Sequence, residues 1–243
     1  PYVLGIFETR MRAEWATVFC TISPAIKVAG PNQFRLLNYC HGKPISKERL
    51  SKVRSNGVFL GRIADSSEFK LKALSRHGLK TDIYPIKYWR GNSILRFHGG
   101  KKESRNNLIY LQDRFPGSKI RKPESHDKLY SVINKRGYAY GFVPSIYRFD
   151  SKKKQVESSS KFFEYMGCGI PVLVEHNVPE SRIVRKNPFL GEVFCGEKDM
   201  LQKAFSMSSR EYDKVRILEF AQKNHYPKNR ARKIYNHFIR DRV

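Results

Sequence analysis

Acidic side chains are scarce in this sequence: 22 Asp and Glu stand against 47 Lys and Arg in 243 residues, a net charge of +25. An excess of that size implies an anionic partner, whether nucleic acid, phosphorylated substrate or acidic membrane surface, and says nothing about fold. Cysteine is also sparse. Cys20, Cys40, Cys168 and Cys195 lie far apart and form no CxxC pair, so neither a zinc site nor a disulfide framework is indicated. No apolar run approaches the roughly 20 residues that a membrane helix needs. The opening PYVLGIFETR has neither a basic leader nor a cleavage signal. These absences lead us to expect a cytoplasmic chain, with peripheral contact to an anionic membrane left open. The start at Pro1 rather than at a methionine fits a chain entered part-way. Repeats and low-complexity linkers are absent as well.

What is present is enough for a packed core, with 40% hydrophobic and 13% aromatic residues. Short apolar runs alternate with amphipathic segments. Ala16 to Ile22, Gly57 to Leu60, Leu108 to Leu111, Tyr138 to Val143, Ile170 to Val174 and Glu192 to Cys195 read as strands. Between them, Ser66-Ser67 caps a helix with Phe69, Leu71 and Leu74 inward and Gly78 as its stop, and Ser125 caps a second with Leu129, Val132 and Ile133 inward. A short helix is expected from Pro179. Two basic helices close the chain, the first with Tyr212, Val215 and Leu218 on one face, the second starting at Pro227 and holding Ala231, Ile234, Tyr235 and Phe238. Such alternation predicts an α/β domain with a doubly wound parallel sheet, whose ligands sit at the carboxyl ends of the strands.

The stretch SSSKFFEYMGCGIPVLVE, from Ser158 to Glu175, combines a serine-rich start, a short helix, a glycine break and a buried strand. A helix beginning near Ser160 presents free N–H groups and the positive end of its dipole, to which Ser160 and Lys161 add donors suited to a diphosphate. Glu164, three residues on and on the same face, can accept two ribose hydroxyls. Pattern alone leaves the plainer reading open, in which the serine is a cap and the Lys/Glu pair a surface pair. Phe162, Phe163, Tyr165 and Met166 belong to the core, while Gly167, Gly169 and Pro171 shape the turn into the strand. His126, beside a helix start, is expected to be a capping or surface residue.

The segment SKFFEYMGCGIPVLV resembles the donor-site signature of GT-B glycosyltransferases, especially the large retaining family four. VFLGRIADSSEFKLKALSRHG resembles the first strand, loop and helix of that family's C-terminal domain, and SHDKLYSVINKRGYAYGFVPS its helix and the strand ending in proline. REYDKVRILEFAQKNHYPKNRARKIYNHF resembles its closing helices, so the likeness runs from about Gly57 to Phe238. The resemblance implies a Rossmann-like nucleotide-sugar-binding domain over 51–207, the end of an N-terminal acceptor-side domain over 1–50, and basic C-terminal helices over 208–243 packing on the sheet. It implies a glycosyltransferase that needs no metal and no cofactor beyond its nucleotide-sugar substrate, with UDP or GDP as the carrier. By it, Gly61 and Arg62 take the place of a Gly-Arg pair, Arg62, Ser160 and Lys161 bind the donor diphosphate, and Glu164 holds the ribose. Two departures stand out. ADSSEF intervenes before Lys70, the lysine that would add a further phosphate contact. The family's first glutamate, a sugar ligand, falls on Val156, with Glu157 one residue late. The acceptor implied by the charge is an anionic glycan, a lipid-linked glycan or nucleic acid, and the rival reading is a nucleic-acid-binding module without catalysis.

Overall fold

The computed structural model describes residues 3–4, 18–21, 33–35, 40, 55–90, 93–96, 102–122, 124, 126–149, 155, 159–226, 228–229, 231–232 and 236. Three short strands, β1 (Val3–Leu4), β2 (Val18–Thr21) and β3 (Gln33–Arg35), form a parallel sheet in that order. The main sheet has seven strands: β4 (Gly57–Ile63), β5 (Thr81–Arg90), β6 (Ser93–Arg96), β7 (Lys119–Ile120), β8 (Tyr140–Val143), β9 (Val172–Glu175) and β10 (Gly191–Phe194). Their order is β10-β9-β8-β4-β5-β6, with β7 pairing beside β6 on the same edge of β5. Pairing is parallel throughout except for the β5–β6 hairpin at the edge. From β4 the chain builds outward through β5, then crosses over to build the other way through β8, so the sheet is doubly wound with its reversal between β4 and β8.

Helices cover both faces. On one, α1 (Asp65–Arg76), α2 (Lys102–Arg114) and α6 (Glu197–Ser209) bury Leu71, Leu74, Leu111, Met200, Ala204 and Met207 against Phe59, Ile83, Phe142, Leu173 and Phe194. On the other, α3 (His126–Arg136), α4 (Ser160–Gly167) and α7 (Lys214–His225) bury Tyr130, Ile133, Phe162, Phe163, Tyr165, Met166, Ile217 and Ala221 against Val58, Leu60, Val143, Val172 and Val174. A short helix α5 (Ser181–Lys186) precedes β10. Odd and even residues of β4 and β9 divide between the two layers, the two-residue period of a strand buried on both sides. Residue 40 joins the second layer: its amide donates to the His225 carbonyl at 3.0 Å and its thiol to the Phe163 carbonyl at 3.2 Å. Cys40 and Cys168 are buried thiols and Cys195 is exposed; none of the three is in a disulfide.

Several expectations need correction. The run Leu108 to Leu111 is helical, inside α2, because its burial follows helical spacing: Leu111 and Phe115, four apart, are fully buried while Ile109 is exposed. Phe69 does not face inward with Leu71 and Leu74; it is exposed on α1 and meets Phe149 edge-on with ring centroids 5.9 Å apart. Ala231 is exposed. The N-cap of α1 is Ala64, with Ser67 in the first turn accepting from its amide at 2.9 Å. Six elements, β1, β3, β5, β6, β7 and α6, have no counterpart among the segments expected from sequence. Ser125, Pro227, Ile234, Tyr235 and Phe238 lie outside the described residues.

Strands β4 and β8 are in register only at Gly57/Tyr140 and Val58/Gly141. Beyond that point Tyr165 of α4 stands between them: the Leu60 amide donates to its hydroxyl at 2.9 Å, and the hydroxyl reaches the Phe142 carbonyl at 3.4 Å. Its ring lies over Gly141, where a Cβ would come within 2.2 Å of Tyr165. Gly141→Ala is therefore expected to lower unfolding stability by about 1–3 kcal/mol. Tyr165→Phe, which strands a buried amide and carbonyl, is expected to cost a similar ~1–3 kcal/mol. Denaturant titration of both variants checks the pair; a neutral outcome for either means the ring does not hold the strands at this point.

Candidate functional site

A cleft of about 410 Å³ opens at the carboxyl ends of β4 and β8, where the sheet reverses. Its walls are Leu60, Gly61, Arg62 and Ala64 from the end of β4, Ser66 and Ser67 from the first turn of α1, and Pro144, Ser145 and Ile146 after β8. Ser159, Ser160, Lys161 and Glu164 from α4 complete it, together with Ile86, Leu129 and Gln155. The starts of two helices of eight or more residues, α1 and α4, thus face one space.

Local sequence places each group. β5 carries Pro85 opposite Gly61, and the register then steps so that Arg62 pairs with Lys87 and Ile86 is skipped. Proline has no N–H for the ladder and is at home in such a bulge, which rims a site and turns a side chain outward. Ile86 consequently sits at the cleft, 40% exposed. Gly61 adopts φ +95°, a conformation that favours glycine, and a Cβ there would lie 3.2 Å from Cε of Lys161. With no side chain at 61, Lys161 crosses the strand and sets its ammonium 4.9 Å from the centre of the Phe59 ring, a cation–π contact. Burial, and then the positive charge of Arg62, bring the Lys161 pKa down to about 8.

α4 is apolar on nearly every side, with Phe162, Phe163, Tyr165 and Met166 fully buried. Glu164 is the exception in type, a carboxylate only 4% exposed that nevertheless lines the cleft. A carboxylate in such surroundings is costly unless it is paired or hydrogen-bonded. Burial, then the proximity of Cys40 and Glu164, push the Tyr130 phenol well up, so it remains a neutral hydroxyl beside Glu164. The helix is fixed at its start by the buried Glu180, whose Oε1 accepts from the Ser159 amide at 2.7 Å. It ends at Gly169, φ +67°, where the Gly169 and Ile170 amides bond back to the Met166 and Tyr165 carbonyls. Gly167 packs against Tyr130, and the Pro171 carbonyl accepts from the Gly141 amide at 2.8 Å.

Of the residues singled out from sequence, Gly61, Arg62, Ser160, Lys161 and Glu164 come together in this cleft. Lys70 does not. It is fully buried in α1, with Nζ 2.5 Å from Oε2 of Glu175, and is not among the cleft residues. Burial lowers its pKa, with Glu175 opposing. The seven-residue gap after Arg62 places it more than a turn into α1, too deep for the phosphate role. Glu157 lies outside the described residues. Three cleft residues were not singled out from sequence: Ile86 sits in the β5 bulge, and Ser145 and Ile146 follow the end of β8, a strand that flanks the reversal. Among the described residues there is no cluster of three or more His, Cys, Asp or Glu able to hold a metal, and no helix long and apolar enough to cross a membrane.

Neither a protein-family model nor a curated protein sequence matches the chain. Solved structures do match its fold. The lipopolysaccharide outer core galactosyltransferase WaaB aligns over 95% of this chain and 63% of its own, with a TM-score of 0.58 and 12% identity. The domain has the GT-B fold. AviGT4, a glycosyltransferase involved in avilamycin A biosynthesis, aligns over 91% of this chain and 73% of its own, with TM-score 0.50 and 12% identity. The Thermobaculum terrenum O-GlcNAc transferase aligns over 92% and 48%, with TM-score 0.51 and 12% identity. The chain thus spans about 63% of the length of the galactosyltransferase.

The GT-B cleft described here contains a cation whose protonation changes near neutrality. An anion bound beside Lys161 favours its charged form, so binding takes up a proton once pH exceeds the Lys161 pKa of about 8. For a diphosphate that is already fully ionised, affinity is expected to be flat between about pH 7 and pH 8 and to fall by up to about tenfold per pH unit above pH 8. Lys161→Met should remove the dependence along with most of the affinity, as calorimetric titration at several pH values would show.

Proposed function

We propose that this chain is the donor-binding part of a glycosyltransferase that moves a sugar from a nucleotide-activated donor to an acceptor. The observation that carries the reading is the convergence of Arg62, Lys161, Ser160 and Glu164 on one cleft at the sheet reversal, beneath the starts of α1 and α4. Arg62 and Lys161 take the diphosphate, aided by the Ser160 hydroxyl and the helix amides, and Glu164 takes the ribose hydroxyls. In transfer, the bond between the anomeric carbon and the phosphate oxygen breaks and one to an acceptor oxygen forms. Negative charge develops on the leaving diphosphate, and two preorganised cations with helix N–H groups stabilise it there. Retention of anomeric configuration and a metal-independent mechanism are part of this proposal, supported by the resemblance of SKFFEYMGCGIPVLV to family four.

The charge of +25 exceeds what a diphosphate requires and favours an anionic acceptor, whether glycan, lipid-linked glycan at a membrane surface, or nucleic acid. The same charge favours a second reading, a nucleic-acid-binding protein without transfer activity. Salt separates the two: phosphate-driven binding weakens steeply with salt, whereas donor recognition depends on base and ribose.

Titration with UDP, GDP, ADP and dTDP at moderate salt tests the donor site. Binding selective for one base is expected, and Glu164→Ala should weaken it by at least about tenfold, the loss of charge-assisted hydrogen bonds to two hydroxyls. Unchanged nucleotide affinity in that variant, or tight DNA binding with no nucleotide binding, would reject the assignment.

A further inference from the structure

The buried pair Lys70 and Glu175 encloses a single residue of the cleft wall. Glu175, at the end of β9, accepts the Ser145 amide on the same Oε2 that meets Lys70, at 2.7 Å. Lys70 donates to the Ser145 carbonyl at 3.3 Å and to the Tyr147 carbonyl at 2.6 Å, and stands 5.1 Å from the centre of the Phe149 ring. Both backbone polar groups of Ser145 are therefore held by the two ends of one ion pair. The Ser66 hydroxyl adds a contact to the Ser145 carbonyl at 3.4 Å, and the Ser145 hydroxyl accepts the Tyr147 amide at 3.1 Å. On the cleft side, Gln155 Oε1 accepts the Ile146 amide at 3.1 Å.

A buried ion pair adds little net stability and is often replaceable by neutral groups of similar shape without loss. What this one has in addition is connectivity. It joins α1, β9 and the segment after β8, and the segment it holds, Pro144 to Ile146, lines the cleft beside the start of α1. We propose that Lys70 and Glu175 are positioning residues for the donor nucleotide: they hold the Pro144–Ile146 wall against α1 in the place that the nucleotide needs. The proposal rests on the donor-site reading above. It assigns Lys70 a role opposite to phosphate contact, acting through the Ser145 and Tyr147 carbonyls from behind the wall.

The test uses the full chain carrying Lys70→Met with Glu175→Gln, which keeps both shapes and an acceptor for the Ser145 amide but removes the ammonium that ties the two carbonyls. Lys72→Met, a partly exposed lysine on the same helix that does not line the cleft, is the control. Cooperative unfolding should persist in the double variant. The Ile146 and Tyr147 amides should exchange hydrogen at least about tenfold faster. The dissociation constant for whichever of UDP, GDP and ADP the native chain binds should rise at least about tenfold, with neither quantity moved in the control. If the double variant loses its cooperative melt, Glu175→Gln alone serves, with both changes expected in the same direction. Exchange that does not change overturns the clamp, and faster exchange with unchanged nucleotide affinity overturns its positioning role. Absence of nucleotide binding by the native chain overturns the donor-site reading and the positioning role together, an outcome distinct from the other two.

Discussion

The hydroxyl of Tyr165 between β4 and β8 is the contact on which the arrangement of the site depends. A parallel sheet left to itself would continue the ladder from Val58 onward; here the Leu60 amide turns to the tyrosine instead, and the strands part. The cleft lies at that parting, and Tyr165 is adjacent in sequence to Glu164. Successive helical residues point about 100° apart, so anchoring the ring between the strands sets the roll of α4 and with it the direction of the carboxylate. Gly141 and the turn through Gly169 are required by the same packing, one because the ring lies on it and the other because the chain must reverse at once into β9.

The electrostatics follow from this frame. Within a strongly basic protein, the cleft holds two cations close enough that Arg62 depresses Lys161, while the one buried carboxylate on α4 stands a helical turn away. An anion entering there relieves repulsion between the cations as well as meeting the helix dipoles. The lysine that resemblance would have added to this group has turned inward, where its charge is matched by Glu175. Two lysines of similar appearance in the sequence thus end in different places, one lining the cleft and one buried behind its wall.

Much of the architecture could be read from residues, and the failures have physical causes. β4, β8 and β9 are short runs rich in β-branched and aromatic residues, and burial on both faces leaves them little polar alternation to confuse, while β10 at the sheet edge is partly exposed and was marked by its Val193-Phe194 pair. β5 was hidden because Asp82, Pro85 and Lys87 look like breaks. Asp82 is in fact buried and satisfied, accepting from Arg121 Nη2 at 2.7 Å and from the Tyr138 hydroxyl at 2.8 Å, and Pro85 occupies a bulge. The Leu108 to Leu111 run is too short for periodicity to separate strand from helix, and only Phe115, one turn further, decides it. For the site, the helix start and its glutamate were legible because they lie within five residues. The cleft wall after β8 was not, since its role comes from strand order and from a lysine 75 residues away in the chain.

The bulge at Pro85 and Ile86 has an evolutionary consequence. Because Ile86 has no ladder partner on β4, the sheet places no demand on its side chain, yet the residue stands at the rim of the ligand space. Exchange at this one position can alter the size and polarity of the cleft while every strand pairing stays as it is. The fold therefore separates what the cleft presents at this position from what the sheet needs in order to pair.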